Sequence, residues 1–196
     1  MEILTLSLGA YQTNCYLFWE AGSASCGVID PGYHPEQVLQ AAAAHGKTVE
    51  AILLTHGHFD HVGAVKAIRA ATRCPVYLHP ADKKLPFYLT KAGLDFAQGY
   101  EETVCVAGVS LQVIPTPGHS AGSVCLKGDG VLFSGDTLFA DTCGRTDLPG
   151  GNPGEMMHSL RLLTQLPGDY TVYPGHGEAT TLSRERLQNP YLKGIL

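Results

Sequence analysis

Short runs in which apolar and polar positions alternate fill the first thirty residues, and their length predicts strands over residues 3–8, 14–19 and 25–29, joined by small or polar turn residues. An antiparallel start follows. Asp30-Pro31-Gly32 has turn chemistry, and residues 35–45 then run through Val38, Leu39 and an alanine tract to Gly46, which predicts a helix with a glycine stop. Residues 49–54 are nearly all apolar, as a strand buried on both faces requires. Helical spacing returns at Val62, Val65 and Ile68 and ends near Arg73-Cys74-Pro75, whereas residues 80–99 are mixed and read as helical or irregular. Strands resume over residues 103–106, 110–115, 123–127 and 131–134, with Gly-containing turns such as Gly128-Asp129-Gly130 between them. Asn152 stands three residues before Glu155, with Pro153 at the first helical position, and this capping arrangement opens a helix through Leu163. Val172 marks the last strand, and a short helix starts around Ser183. The order of elements predicts two αβ halves facing each other across a pair of sheets, within one domain over residues 1–196.

Composition narrows this reading. Hydrophobic residues make up 44% and charged residues 16%, which describes a globular enzyme rather than a disordered or fibrous chain. The net charge is −5 with the two signs interspersed, so the basic stripe needed for nucleic acid or a membrane surface is absent. A basic segment leading an apolar stretch is missing from the first residues, and no apolar run reaches membrane-spanning length, so the expected location is cytoplasmic. The six cysteines lack CxxC spacing, and they are expected to be reduced core residues.

Chemistry concentrates in Thr55-His56-Gly57-His58-Phe59-Asp60-His61, directly after the buried strand and before a helix. In extended chain, residues 56 and 58 face the same side, while 60 and 61 turn into the helix start, so two ligand sets can face one cavity. Three further candidates sit where a strand ends in a Gly- or Pro-rich turn: His119 in Pro117-Gly118-His119, Asp136 in Ser134-Gly135-Asp136, and His176 in Pro174-Gly175-His176. Together these imidazoles and carboxylates fill two nitrogen- and oxygen-rich coordination spheres. The other histidines, 34, 45, 79 and 158, are isolated and are read as non-ligands.

These residues, in this order, resemble the metallo-β-lactamase superfamily, which implies a four-layer αββα sandwich. On that resemblance His56, His58 and His119 hold one divalent metal ion, Asp60, His61 and His176 hold a second, and Asp136 bridges them. Zinc is the first choice for both ions, with iron or manganese as alternatives. Class B β-lactamases match less well, since they have Arg where this chain has His61 and Cys where it has Asp136. The segments 135–139, 143–145 and 174–178 are similar to short relatives of glyoxalase II (hydroxyacylglutathione hydrolase). Two departures separate them: Gly177 stands between His176 and Glu178 where glyoxalase II has His-Glu, and the helical region that helps it bind glutathione has no counterpart here. The expected activity is hydrolysis of a small anionic thioester such as S-lactoylglutathione by a hydroxide shared between the ions, with Asp60 as the catalytic carboxylate that orients it. The resemblance also assigns Arg145 to binding the substrate anion; its alternative is a surface pair with Asp141 or Asp147. Two other readings are weighed against this one. Persulfide dioxygenases, which use a single iron, share the Cys-Gly-Arg-Thr-Asp segment found here at residues 143–147, and a non-catalytic module stapled by metal would need closed, four-coordinate sites.

Overall fold

The computed structural model describes residues 1–193, in which two mixed sheets lie against each other with helices on their outer sides. The first sheet has the order β1 (Glu2–Leu8), β2 (Thr13–Trp19), β3 (Ser25–Ile29), β4 (Thr48–Leu53), β5 (Val76–Tyr77). Its first two pairings are antiparallel and its last two parallel. The change of sense follows from the connections: short turns join the first three strands, while α1 (Pro35–Ala44) crosses over from β3 to β4. The second sheet comprises β6 (Thr103–Val106), β7 (Val109–Pro115), β8 (Val124–Lys127) and β9 (Val131–Gly135). After the small hairpin of β10 (Leu138–Phe139) and β11 (Thr142–Cys143), it is completed by β12 (Thr171–Pro174) and β13 (Thr180–Thr181). β9 and β12 are parallel neighbours linked through α5 (Pro153–Thr164).

The sheets meet through aromatic side chains. Tyr16 and Phe18 of β2 reach Phe133 of β9 with ring centroids 5.3 and 6.0 Å apart. On the outer face of the second sheet, Ile114, Leu132 and Val172 pack under Met156, Leu160 and Leu163 of α5 and Leu182 of α6 (Leu182–Gln188). Each such buried aliphatic contributes about 1.5–3 kcal/mol. Asn152 caps α5 as its sequence implies, its Oδ1 accepting from the Gly154 and Glu155 amides at 2.8 and 3.2 Å.

Three features differ from expectation. The helical spacing at 62–68 belongs to two pieces, α2 (Phe59–Val62) and α3 (Val65–Thr72), because the Ala64 amide donates to the Pro31 carbonyl at 3.0 Å and leaves the Asp60 carbonyl packed on Gly32. Any side chain at residue 32 would collide with that carbonyl. The two-residue strands β5, β10, β11 and β13 are too short to show periodicity. The cysteines are all free, but Cys105 is exposed and Cys143 half-buried, so the core reading holds for Cys15, Cys26, Cys74 and Cys125 alone. Cys105 lies on the edge strand β6, where alternate side chains face water. The stretch 80–99 contains a single turn of 3₁₀ helix and α4 (Phe87–Thr90), in line with its irregular reading.

Candidate metal centre

Each candidate ligand comes from the end of a strand or a connection between strands. Residues 56–61 follow β4, His119 lies between β7 and β8, Asp136 follows β9 and His176 follows β12. Open αβ sheets place their sites outside the carboxyl ends of parallel strands, and β4, β9 and β12 all point theirs to one cavity.

The structure brings all of the sequence-predicted groups together. One ligand atom each from His56, His58 and His119 lies within 4.8 Å of the others, and the same holds for Asp60, His61 and His176. Asp136 spans both sets: its Oδ1 is 3.4 Å from His61 Nε2, and its Oδ2 is 3.5 Å from His119 Nε2 and 3.6 Å from His176 Nε2. Gly175 packs against Asp136 Oδ1 and the His61 ring so closely that any side chain there would displace one of them.

Outer partners fix which nitrogen of most rings faces the cluster. His61 Nδ1 donates to Asp30 Oδ2 at 3.0 Å, His119 Nδ1 to the Arg145 carbonyl at 2.8 Å, and His176 Nδ1 to the Tyr11 carbonyl at 3.1 Å. His56 Nδ1 donates to Thr55 Oγ1 at 3.0 Å, and that hydroxyl in turn donates to Asp30 at 2.6 Å. Nε2 of His56, His61, His119 and His176 is thereby directed inward, while His58 turns Nδ1 toward His119 Nε2 at 2.8 Å. His56 Nε2, His58 Nε2 and Asp136 Oδ1 are buried with no hydrogen-bond partner. Orphaned acceptors in such a place are costly unless a cation meets them, so the residues fit divalent metal.

Sequence reasoning missed two buried aspartates. Asp30 was read only as a turn residue, yet it accepts from the Thr55 amide as well as from Thr55 Oγ1 and His61. Its signal was available: like the candidate ligands, it directly follows a strand. Asp82 accepts from the Gly57 and Gly122 amides at 2.8 and 2.7 Å and from Ser120 Oγ at 2.7 Å, tying the loop of His56 and His58 to the loop of His119. It sits in the irregular stretch, where no pattern marks it. The first hairpin supports the last loop: Asn14 Nδ2 donates to the carbonyls of Pro174 and Gly177, and its amide donates to Gly175.

The two ligand sets differ in charge. Burial, with His61 and His119 beside it, holds His56 well below the usual imidazole range, and burial with His119 and His61 holds His58 down at about 4. Burial acts downward on His61 too, but Asp136, Asp30 and Asp60 overcome it and push the ring up to about 9. Burial opposes ionisation of Asp60, yet the bond from His176 and the charge of His61 keep its carboxyl at about 2. In the metal-free protein at pH 7, His56 and His58 are therefore neutral, whereas His61 holds a proton that an incoming cation must displace. Uptake at the His61 set is expected to strengthen as pH rises from 7 to 9, because His61 and His176 both hold their protons more tightly than a free imidazole and must release them, while uptake at the set containing His56 and His58, whose rings are already neutral, changes less over the same range. Competition against a chelator at pH 7, 8 and 9 measures both; equal slopes for the two ions would refute the assignment.

A cavity of about 410 Å³ opens over the cluster, with His58, Asp60, His119, Asp136 and His176 at its floor. Its wall includes Arg145, whose guanidinium gives two 2.7 Å bonds to Asp147. That geometry is the surface-pair alternative for Arg145, on a residue that still borders the cavity.

Fold and site together define a metal-dependent hydrolase architecture. The chain belongs to the metallo-beta-lactamase superfamily, whose profile matches residues 8–176. It is 36% identical to the probable metallo-hydrolase YqgX of Bacillus subtilis, over 100% of this chain and 99% of that protein. It is 30% identical to the hydroxyacylglutathione hydrolase GloC of Haemophilus influenzae, over 98% of each. Among solved structures, BLEG-1 B3 metallo-beta-lactamase superposes with a TM-score of 0.89 at 34% identity, covering 98% of this chain and 100% of that one. TTHA1623 in a di-iron-bound form gives 0.85 at 40%, covering 96% and 100%, and ETHE1 from Myxococcus xanthus gives 0.87 at 29%, covering 99% and 85%. Among the described residues no helix is long and apolar enough to cross a membrane.

Proposed function

We propose that the protein is a thioesterase that works with two divalent metal ions, one held by His56, His58 and His119, the other by Asp60, His61 and His176, with Asp136 shared. The observation that carries this reading is the span of Asp136, whose two oxygens reach both sets. When bound, such ions supply Lewis acidity and lower the pKa of water by several units. The remaining work falls to the chain. Asp60, kept ionised, accepts a hydrogen bond from the attacking water and orients it. Attack of water on the thioester carbonyl forms a C–O bond and breaks the C–S bond; of the two water protons one is taken up by the departing thiolate and the other passes to solvent, giving a carboxylate and a thiol. A thiol of pKa about 8.5 departs as thiolate without a strong general acid, and the cavity wall offers none. The similarity to GloC supports hydrolysis of a thioester; the di-iron form of TTHA1623 supports a metal pair and makes iron a choice beside zinc.

The test is metal analysis combined with a panel of thioesters and the β-lactam nitrocefin, which the likeness to BLEG-1 makes the informative comparison. Two ions per chain and a thioester rate at least about a hundredfold above nitrocefin, roughly 2.7 kcal/mol of discrimination, are expected. Nitrocefin outrunning every thioester would overturn the assignment. A second reading, a persulfide dioxygenase with one iron, is favoured by the segment 143–147 and accords with the likeness to ETHE1. One iron per chain with oxygen uptake on glutathione persulfide would establish it instead.

A further inference from the structure

Resting on the thioesterase reading, we infer that the group bound in the outer cavity, beside the scissile bond, is uncharged and apolar, an aliphatic or aromatic acyl chain rather than a charged peptide. Above the ligand cluster the wall is made by Tyr11, Phe59, Leu89, Phe139 and Leu148. These side chains are held in place: the Tyr11 and Phe59 rings meet edge to face at 5.4 Å, and Lys91 covers the Phe59 ring from 4.0 Å. Tyr11 is 58% exposed, so a large aromatic surface stands at the mouth open to solvent. An apolar surface of this kind gains free energy when a hydrocarbon chain replaces that water.

Charge points the same way. Among the described residues Arg145 is the one cationic side chain, apart from the histidines of the cluster, that lines this cavity directly, Lys91 lying over the Phe59 ring, and both of the parallel hydrogen bonds of Arg145 go to Asp147. A substrate carboxylate would have to displace that partner, and the pair as it stands is nearly neutral toward a ligand. The residues that would hold metal lie at the floor, so the positive charge it would supply belongs there, beside the reacting carbonyl, and not on the wall. A dicarboxylate thiol such as glutathione finds at the wall only Arg145, already paired with Asp147, and Lys91, already seated over the Phe59 ring. A hydrocarbon finds four apolar side chains and the ring face of Tyr11.

Turnover of N-acetylcysteamine thioesters with acetyl, butyryl and hexanoyl groups, set against S-lactoylglutathione and a succinyl thioester of the same neutral thiol, tests the inference on the metal-loaded protein. Buried methylenes predict a kcat/KM that rises about threefold for each one added from acetyl to hexanoyl. Tyr11→Ala and Leu148→Ala should flatten the series, while Arg145→Ala should change charged and neutral substrates by the same factor. A flat series in the wild type, or a loss on Arg145→Ala confined to the anionic substrates, would overturn it. Binding supplies a readout independent of turnover: the non-hydrolysable S-hexyl thioether of N-acetylcysteamine should bind at least about tenfold more tightly than the S-methyl one. If no thioester is cleaved but the hexyl preference holds, the thioesterase reading fails and the apolar site stands; equal affinities for the two thioethers would sink the apolar site itself.

Discussion

Asp136→Ala is expected to leave about one metal ion per chain in place of two and to lower thioester kcat/KM by roughly a thousandfold, about 4 kcal/mol of transition-state stabilisation. The size of the effect follows from geometry. Asp136 is the one carboxylate whose two oxygens lie near both sets, within 3.4 to 3.6 Å of His61, His119 and His176. Without it the two sets are joined by no shared anion, and two divalent cations side by side repel each other without that screen. Occupancy should fall first at the His61 set, where a proton competes with the ion. His56, His58 and His119 remain a complete nitrogen set and should keep theirs. Elemental analysis of protein purified without chelator reads the first effect, and steady-state kinetics the second. A stoichiometry near one in the unaltered protein that Asp136→Ala does not change would remove the bridge and promote the single-iron reading.

The second large effect is expected at a residue that touches no metal in this assignment. Asp30 is 1% exposed, and its two oxygens serve the Thr55 amide, Thr55 Oγ1 and His61 Nδ1. Asp30→Ala strips all three buried donors of their acceptor, one of them on a protonated ring. Removing one partner of such a buried pair costs about 3–5 kcal/mol. The ring of His61 also loses the hydrogen bond that orients it, and outer partners of this kind are worth about 10–100-fold in metal affinity. Urea unfolding of the metal-free protein should register the stability loss, and chelator competition the affinity loss at the His61 set. Unchanged unfolding midpoints would mean that the pair contributes nothing measurable and that the ring is held by packing alone.

Much of this site is legible in the sequence because its ligands follow a rule that linear patterns can show: an imidazole or carboxylate directly after a strand and beside a glycine. His56, His58, His119, Asp136 and His176 each stand beside a glycine in the connection that follows a strand, Asp60 and His61 come just after them at the start of α2, and the structure gathers all of them at one end of the sandwich. Asp30 also directly follows a strand, with glycine two positions on, but Asp-Pro-Gly is equally ordinary turn chemistry and does not mark it out. Asp82 could not be found at all: what distinguishes it is the convergence of Gly57, Ser120 and Gly122, residues 25 to 40 positions away. Arg145 shows the opposite limit. Its place at the cavity is readable from its spacing after Asp136, but its bond to Asp147 depends on the path of the loop between them. For the fold, the long strands and α1 and α5 are legible from periodicity and caps, whereas the break between α2 and α3 is a tertiary event, set by the approach of the 31–32 backbone.

The hydrogen bonds from Asn14 to the Pro174 and Gly177 carbonyls join positions 160 and 163 residues apart. Bringing the ends of so long a segment together costs about 4–5 kcal/mol of chain entropy. That contact is therefore supported only when the strands carrying its two ends have been brought together by the rest of the fold. During synthesis, residues 56–61 and His119 are available long before His176 exists, so a nascent chain can offer one nitrogen set while the other is still unmade. Completing the pair is in this sense a record of folding itself: the second set becomes whole only when the first hairpin and the last parallel strand have found each other.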